Sequence, residues 1–255
     1  ARRAAAAADD KIGPDAGRRP PPPGQPPAHR AVALGLWADG GGGARLRAAG
    51  ERALAEIARL GATDVVLVIG WRQRDVTSVA LAPGPATPSD ADVHALAAAA
   101  TGLGLAVTLF PIVLLDEVGP GRWRGTLAPA DVDAWWASYE RFIDHHAGLA
   151  AEVGAARLSV GSELGSTEAW RDRWFHLIGR VRRRFTGQLI YSANWDHYRA
   201  VSFAARLDAV GVTGYFELTQ DRAASEATLT AAWAPIRARL EAHAATLGKP
   251  LWLTE

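Results

Sequence analysis

Short apolar stretches recur along the chain from residue 31 onward, each followed by a longer and more polar segment. There are seven such stretches, and nearly every position in them is apolar rather than every second one. Uniformly apolar runs of this length are typical of parallel β-strands, which are covered on both faces. The predicted strands span residues 31–37, 65–70, 105–112, 158–161, 189–193, 209–215 and 251–254.

The segments between these strands have the composition and the end signals of helices. Ser89 and Asp90 suit a helix start, and Gly61 suits the position just after a helix end. Repeated alternation of strand and helix predicts an α/β fold, namely a (β/α)8 TIM barrel whose last β-α unit is missing from this chain. A doubly wound open sheet is the alternative. The predicted helices span residues 45–60, 89–103, 131–154, 166–185, 197–206 and 222–247.

The composition divides the chain at about residue 30. Residues 1–30 combine an alanine run, arginine pairs and a proline-rich stretch, which is typical of a disordered tail or linker. Residues 31–255 have the length expected of one TIM-barrel domain. Because the chain begins with Ala1 and stops at Glu255 directly after an apolar run, we expect a trimmed, C-terminally incomplete piece of a longer protein.

Charge and cysteine content narrow the classes of partner. With 28 basic and 27 acidic residues the net charge is +1, which favours neither nucleic acid nor an anionic membrane. No apolar run approaches the ~20 residues that span a bilayer. The absence of cysteine excludes disulfides and thiolate metal sites. We expect no cofactor and no metal, a monomer, and a secreted or envelope-associated protein because of the tail, with the cytoplasm as the alternative.

Two glutamates each follow an apolar strand where the chain leaves the predicted sheet. Glu163 follows the fourth strand, with Gly161 on the same face expected to leave room in the barrel mouth, and Glu255 follows the seventh. Such strand ends carry the active site of a TIM barrel. Two carboxyl groups ~5–5.5 Å apart hydrolyse glycosides with retention, one as acid and one as nucleophile. The alternative is that each glutamate caps a helix or pairs with an arginine.

Six short stretches point, by their order and spacing, to one family. They are 121–125 (GRWRG), 134–143 (AWWASYERFI), 160–164 (VGSEL), 191–195 (YSANW), 208–216 (DAVGVTGYF) and 248–255 (GKPLWLTE). With them the chain resembles glycoside hydrolase family 113, a clan A group known mainly as β-mannanases, over roughly residues 31–255. The resemblance implies Glu163 as acid/base, Glu255 as nucleophile, and β-1,4-mannan or manno-oligosaccharides as substrate.

Tryptophan is unusually frequent, with 10 residues against 4 tyrosines and 6 phenylalanines. Trp37, Trp71, Trp123 and Trp195 lie at or just beyond predicted strand ends, where an indole can stack on a sugar ring. The alternative for each is packing between loops and helices. Trp252 alternates with two leucines and is expected to point outward, under the helices.

Three polar residues complete the predicted substrate site. Ser162 stands immediately before Glu163, where many clan A barrels carry an asparagine that contacts the sugar 2-OH, so the departure bears on substrate identity. Asn194 follows the fifth strand and either binds substrate or forms a turn. Tyr215 follows the sixth strand, where its phenol is expected to donate a hydrogen bond to the nucleophile, with a rim aromatic as the alternative.

Two other functions compete with a glycosidase. A carbohydrate-binding barrel that has lost turnover, tethered in the envelope by the tail, would keep the same groove, but the presence of both glutamates favours the enzyme. A barrel aldolase or metal-dependent hydrolase lacks support because no strand-end lysine or spaced histidine pair occurs. The glycine run 40–43 lacks the lysine of a phosphate loop.

Overall fold

A computed structural model describes residues 29–38 and 43–255 of the chain. The predicted tail at 1–30 therefore lies outside the described residues except for His29 and Arg30. Of the glycine run at 40–43, only Gly43 is described.

Parallel strands form one sheet in which neighbours in space follow the order of the chain. A doubly wound sheet would place its first strand in the middle, so this order excludes the alternative fold. The short strand β3 pairs antiparallel with β2 and lies off the main path. The strands are β1 (Ala31–Gly35), β2 (Asp64–Gln73), β3 (Ala82–Pro83), β4 (Ala106–Leu115), β5 (Arg157–Ser162), β6 (Gln188–Ala193), β7 (Val210–Val212) and β8 (Leu251–Leu253).

Five α-helices connect the described strands, and among these helices none is both long and apolar enough to cross a membrane. Helix α2 starts at a capping box in which Ser89 and Asp92 exchange hydrogen bonds. Helix α5 ends at Gly248 in the left-handed conformation. The helices are α1 (Gly43–Arg59), α2 (Asp90–Gly102), α3 (Val132–Glu152), α4 (Arg171–Arg182) and α5 (Glu226–Leu247).

The prediction of a helix at residues 197–206 is wrong. Two 3-10 turns, Tyr198–Ala200 and Ala204–Arg206, occupy the segment instead. Val201 between them has an extended backbone, which interrupts helical hydrogen bonding. Phe203 holds the segment in place because its buried ring stacks on Trp174 at a centroid distance of 4.3 Å. Tertiary packing therefore overrides local helix propensity here.

The sheet has two differently covered faces. Leu67 and Leu109 pack with helix residues in the main core, whereas Phe110 and Ile190 form a smaller cluster on the face without helices. Trp252 belongs to this second cluster, so the prediction that it points outward under the helices is wrong. All three residues of the Leu-Trp-Leu segment are apolar, so the sequence does not indicate which side chains face the helices. Only the register of the segment with β7 decides this.

Candidate active site

Glu163 and Glu255 lie at the same edge of the sheet, Glu163 directly after β5 and Glu255 two positions beyond the last residue of β8. Parallel strands bring their carboxyl ends to one edge, and in a TIM barrel this edge carries the active site. The Ser162 hydroxyl bridges the two strands by donating to Glu255 Oε1 at 2.9 Å. The two predicted catalytic residues therefore share one site.

An extra residue in β5 shapes this site. Ser159 pairs with Ile190 and Ser162 with Ser192, so three steps along β5 match two steps along β6. Such a bulge turns the following side chains to the opposite face, and bulges are frequent beside active sites. It directs Ser162 toward Glu255, as the hydrogen bond between them requires.

Because of this bulge, the role predicted for Gly161 is wrong. A Cβ atom at this position would lie 2.7 Å from the Tyr139 hydroxyl and 3.1 Å from the Trp174 ring, both of which belong to the helix-covered core. Gly161 therefore makes room for the aromatic core behind β5 rather than for a ligand in the barrel mouth. Strict alternation along the strand predicted the wrong face because it could not anticipate the inserted residue.

Glu163 has an unusual backbone and is nearly buried. Among the described residues, it is the one non-glycine residue with a positive φ, at 52°. Its N–H donates to the Ser192 carbonyl at 2.7 Å. Only 6% of the surface of Glu163 is exposed. A left-handed conformation of this kind costs roughly 1–2 kcal/mol and is typical of functional sites.

The surroundings of Glu163 suit a proton donor. Burial raises the pKa of its carboxyl, while the charge of Arg124 opposes this shift and that of Glu255 adds to it. Arg124 Nη2 donates to Glu163 Oε2 at 2.6 Å, and the nearby Thr213 hydroxyl also lowers the pKa of Glu163. A raised pKa keeps part of the population protonated closer to neutral pH.

Hydroxyl groups surround the Glu255 carboxylate. Oε1 accepts from Ser162 at 2.9 Å and, more weakly, from Ser192 at 3.5 Å, and Oε2 accepts from Tyr215 at 3.2 Å. Burial and the nearby Glu255 charge raise the pKa of the Tyr215 phenol, so it stays a donor. These contacts orient Glu255 and differ in kind from the arginine pairing of Glu163.

The sequence matches the model of Glycoside Hydrolase Family 113 over residues 39–255. The chain belongs to glycoside hydrolase family 113. It is therefore a glycosidase that acts on a carbohydrate, and the resemblance predicted from the six stretches is confirmed.

Solved structures agree with this family 113 assignment. The GH113 β-mannanase AaManA from Alicyclobacillus acidocaldarius, solved in complex with ManMIm, is 26% identical with a TM-score of 0.75, and the match covers 88% of this chain and 69% of that one. A second GH113 β-1,4-mannanase is 23% identical with a TM-score of 0.75, covering 88% and 71%. The predicted α/β barrel class is confirmed. No curated protein matches the chain by sequence.

Three predicted sugar platforms of this family 113 chain have exposed indole rings. Trp37 is 42%, Trp195 38% and Trp123 36% exposed. A Cβ atom on Gly35 would lie 2.4 Å from the Trp37 ring, which therefore rests directly on β1. Trp123 is adjacent to Arg124, the partner of Glu163, and the main-chain N–H of Trp195 donates to Thr213. Trp123 and Trp195 therefore lie next to groups that surround Glu163, whereas Trp37 lies on β1 beside Gly70 of β2.

Trp71 lies elsewhere, and its predicted role as a sugar platform is wrong. Its ring packs against Phe142, His145 and His146 of α3 at centroid distances of 5.2 to 5.7 Å. Strand β2 continues past the predicted end at residue 70, so Trp71 is still within the sheet and faces the helices with Ile69. The strand extension reflects pairing with β4, which single-strand periodicity does not reveal.

Asn194 occupies a turn position beside the site. Its side-chain oxygen accepts from the N–H of Trp195 at 3.1 Å and lies 3.4 Å from the Thr213 hydroxyl. These contacts match the turn alternative. They also connect Asn194 through Thr213 to the surroundings of Glu163.

Sequence reasoning missed three residues that contact the glutamates. Arg124 was within the quoted 121–125 stretch but was given no role, although an arginine beside a tryptophan in a matched stretch was an available signal. Ser192 and Thr213 are fully buried within or beside strands. Their small hydroxyls within apolar runs were the available signal, because a buried hydroxyl requires a partner.

Proposed function

We propose that this family 113 chain hydrolyses β-1,4-mannan or manno-oligosaccharides with retention of configuration, using Glu163 as acid/base and Glu255 as nucleophile. The observation that carries the proposal is the unlike environment of two carboxyl groups at one sheet edge. Glu163 is buried with a raised pKa, whereas Glu255 accepts hydrogen bonds from hydroxyls. Pairs of carboxyls with different environments divide acid and nucleophile roles in this way.

The reaction proceeds in two displacements. Glu255 attacks the anomeric carbon and forms a glycosyl ester, while Glu163 transfers its proton to the departing glycosidic oxygen. Glu163, now ionised, then takes a proton from water as the water oxygen attacks the same carbon and the ester bond to Glu255 breaks. Both carboxyls return to their starting protonation states. The guanidinium of Arg124 stabilises the ionised form of Glu163 between the steps.

Support for the substrate comes from the family and the exposed indoles. Two solved family members are described as a β-mannanase and a β-1,4-mannanase. Trp37, Trp123 and Trp195 expose flat faces that can stack on pyranose rings. Ser162 binds Glu255, so we infer that its hydroxyl orients the nucleophile rather than replacing the sugar contact of an asparagine.

Reducing-sugar release from β-mannan tests this proposal. We expect the wild type to cleave mannan and Glu163→Gln to lose about 10²- to 10⁴-fold in kcat, the range of general acid catalysis. Glu152→Gln is the control, because Glu152 is an exposed carboxyl at the end of α3. Undiminished cleavage by Glu163→Gln would remove the acid/base assignment. Sugar binding by a wild type that cleaves no mannan would instead support the non-hydrolytic binding barrel.

Replacing Arg124 is expected to shift the basic limb of the pH profile of kcat/KM to higher pH. The guanidinium lowers the pKa of Glu163, so Arg124→Gln should raise that pKa and keep the acid protonated to higher pH. Loss of a charge-assisted hydrogen bond should also reduce kcat/KM at the optimum roughly tenfold. Arg122→Gln, at an exposed position of the same loop, is the control. An unmoved limb, or one at lower pH, would contradict the pairing.

A further inference from the structure

A buried carboxyl and phenol lie behind the turn that carries Glu163. Glu168 and Tyr191 are each 1% exposed. The Tyr191 hydroxyl donates to Glu168 Oε1 at 2.8 Å and accepts the N–H of Leu164 at 2.8 Å. One phenol therefore joins a buried acid to the main chain directly after Glu163.

The main chain at this point needs external support. Glu163 adopts a positive φ that disfavours any residue with a Cβ atom. Its own N–H is bound by the Ser192 carbonyl at 2.7 Å, and the next N–H, that of Leu164, is bound by Tyr191. Both amide groups that flank the Glu163 side chain are therefore held by β6, which fixes the direction in which the carboxyl leaves the strand.

A contribution to stability does not explain why the carboxyl group of Glu168 is buried. Its Oε2 atom is buried and has no hydrogen-bond partner among residues 29–38 and 43–255, which is unfavourable for any carboxyl group. Burial raises its pKa, opposed by the hydrogen bond from Tyr191. A second contact anchors its main chain, because the Ser202 hydroxyl donates to the Glu168 carbonyl. A buried polar group retained at a cost in stability, one hydrogen bond from the Glu163 turn, indicates a role in the site.

We propose that Glu168 and Tyr191 are positioning residues that hold the Glu163 carboxyl in line with the departing glycosidic oxygen. The inference rests on the proposed role of Glu163 as acid/base. Glu168 accepts the hydrogen bond of the Tyr191 O–H group, which leaves a lone pair of the phenol oxygen directed at the Leu164 N–H. Without this orientation, the turn relaxes toward ordinary φ values and the Glu163 carboxyl moves away from the leaving group. A displacement near 1 Å costs about 10²-fold in rate.

A comparison of two substrates tests the proposal. Protonation matters for a sugar leaving group but little for 2,4-dinitrophenolate, so kcat/KM is measured for β-mannan and for 2,4-dinitrophenyl β-mannobioside. We expect Tyr191→Phe and Glu168→Leu, each of which removes the hydrogen bond between the two side chains, to lose about 10- to 100-fold on mannan and less than about threefold on the aryl glycoside. The double variant should lose no more than the worse single one, because both act through one contact.

Tyr139→Phe is the matched control. Tyr139 is also a fully buried phenol, and its hydroxyl donates to the Val160 carbonyl of β5 at 2.7 Å, upstream of the Glu163 turn. Tyr139→Phe should lower the melting temperature, and any change in kcat/KM should be the same for the two substrates. Equal losses on both substrates, or unchanged activity, in the Tyr191 and Glu168 variants would overturn the proposal. A loss in Tyr139→Phe that is larger on mannan than on the aryl glycoside would overturn it as well. If Tyr191→Phe fails to fold, Glu168→Leu alone decides, since it removes the acceptor of the Tyr191 hydrogen bond and keeps a side chain of similar size.

Glu163→Gln separates failure of this inference from failure of the proposed function. When that variant is inactive on mannan while Tyr191→Phe and Glu168→Leu match the wild type on both substrates, only the positioning role is wrong. When Glu163→Gln itself retains full activity on mannan, both the acid/base assignment and the positioning role that rests on it fail.

Discussion

Glu255→Gly is expected to reduce mannan hydrolysis by at least about 10⁴-fold, the scale at which loss of a covalent nucleophile lowers kcat. Sodium azide should restore turnover of 2,4-dinitrophenyl β-mannobioside and yield the α-azide, because azide enters the space left by the carboxylate and attacks from that face. Ser162 and Tyr215, which bind Glu255, would remain as donors for the incoming anion. The anomeric configuration of the product is read by NMR.

Glu163→Gly provides the matched comparison for this experiment. Glycine accepts the positive φ of position 163 without strain, so the turn is preserved while the acid is removed. With the same aryl substrate, azide should now attack the glycosyl ester from the opposite face and yield the β-azide. The same anomer from both variants, or hydrolysis by Glu255→Gly without azide, would contradict the assigned roles.

His146→Phe is expected to make the protein more resistant to acid unfolding. Burial lowers the pKa of His146 from 6.5 to about 3, so the unfolded chain binds a proton below pH 6.5 that the folded chain excludes. The free energy of unfolding therefore falls as pH decreases from about 6.5 toward 3. At pH 4.5 the loss at this one site is about 3 kcal/mol. The substitution should abolish this part of the pH dependence.

Urea denaturation at pH 7.5 and pH 4.5 measures the effect. His145→Phe is the control, because His145 neighbours His146 on α3 but is half-buried and pairs with Asp90. The raised pKa values of Glu163 and Glu168 act in the opposite direction above pH 4.5, since the folded state binds those protons more tightly. Comparison between variants cancels that contribution. Equal losses of stability on acidification in wild type and His146→Phe would refute the prediction.

The elements that were predicted best depend on local pattern alone. All seven predicted parallel strands are present, and the long helices at α1, α2, α3 and α5 lie close to their predicted positions. Their apolar periodicity and end signals act over a few residues, so the sequence displays them directly. The segment 197–206 failed because contacts such as Phe203 with Trp174 join residues that are far apart in the chain.

The faces of individual side chains were predicted less well. Gly161 and Trp252 were placed on the wrong side of the sheet, and Trp71 was placed at the end of a strand that continues past it and turns its ring to the helices. Uniformly apolar strands carry no in-and-out alternation, so the side that faces the helices depends on pairing with neighbouring strands. Arg124 was missed for a related reason, since its loop meets Glu163 only after the chain has folded.

The sequence by itself determined that strands and helices alternate, that glutamates end the fourth and seventh parallel strands, and that the chain resembles family 113. Each of these is visible within short stretches of neighbouring residues. Only the tertiary structure decided that one inserted residue in β5 turns Ser162 toward Glu255, and that Arg124 and Tyr191 reach the turn at Glu163. Those contacts join residues distant in the chain, and their geometry depends on the register between strands.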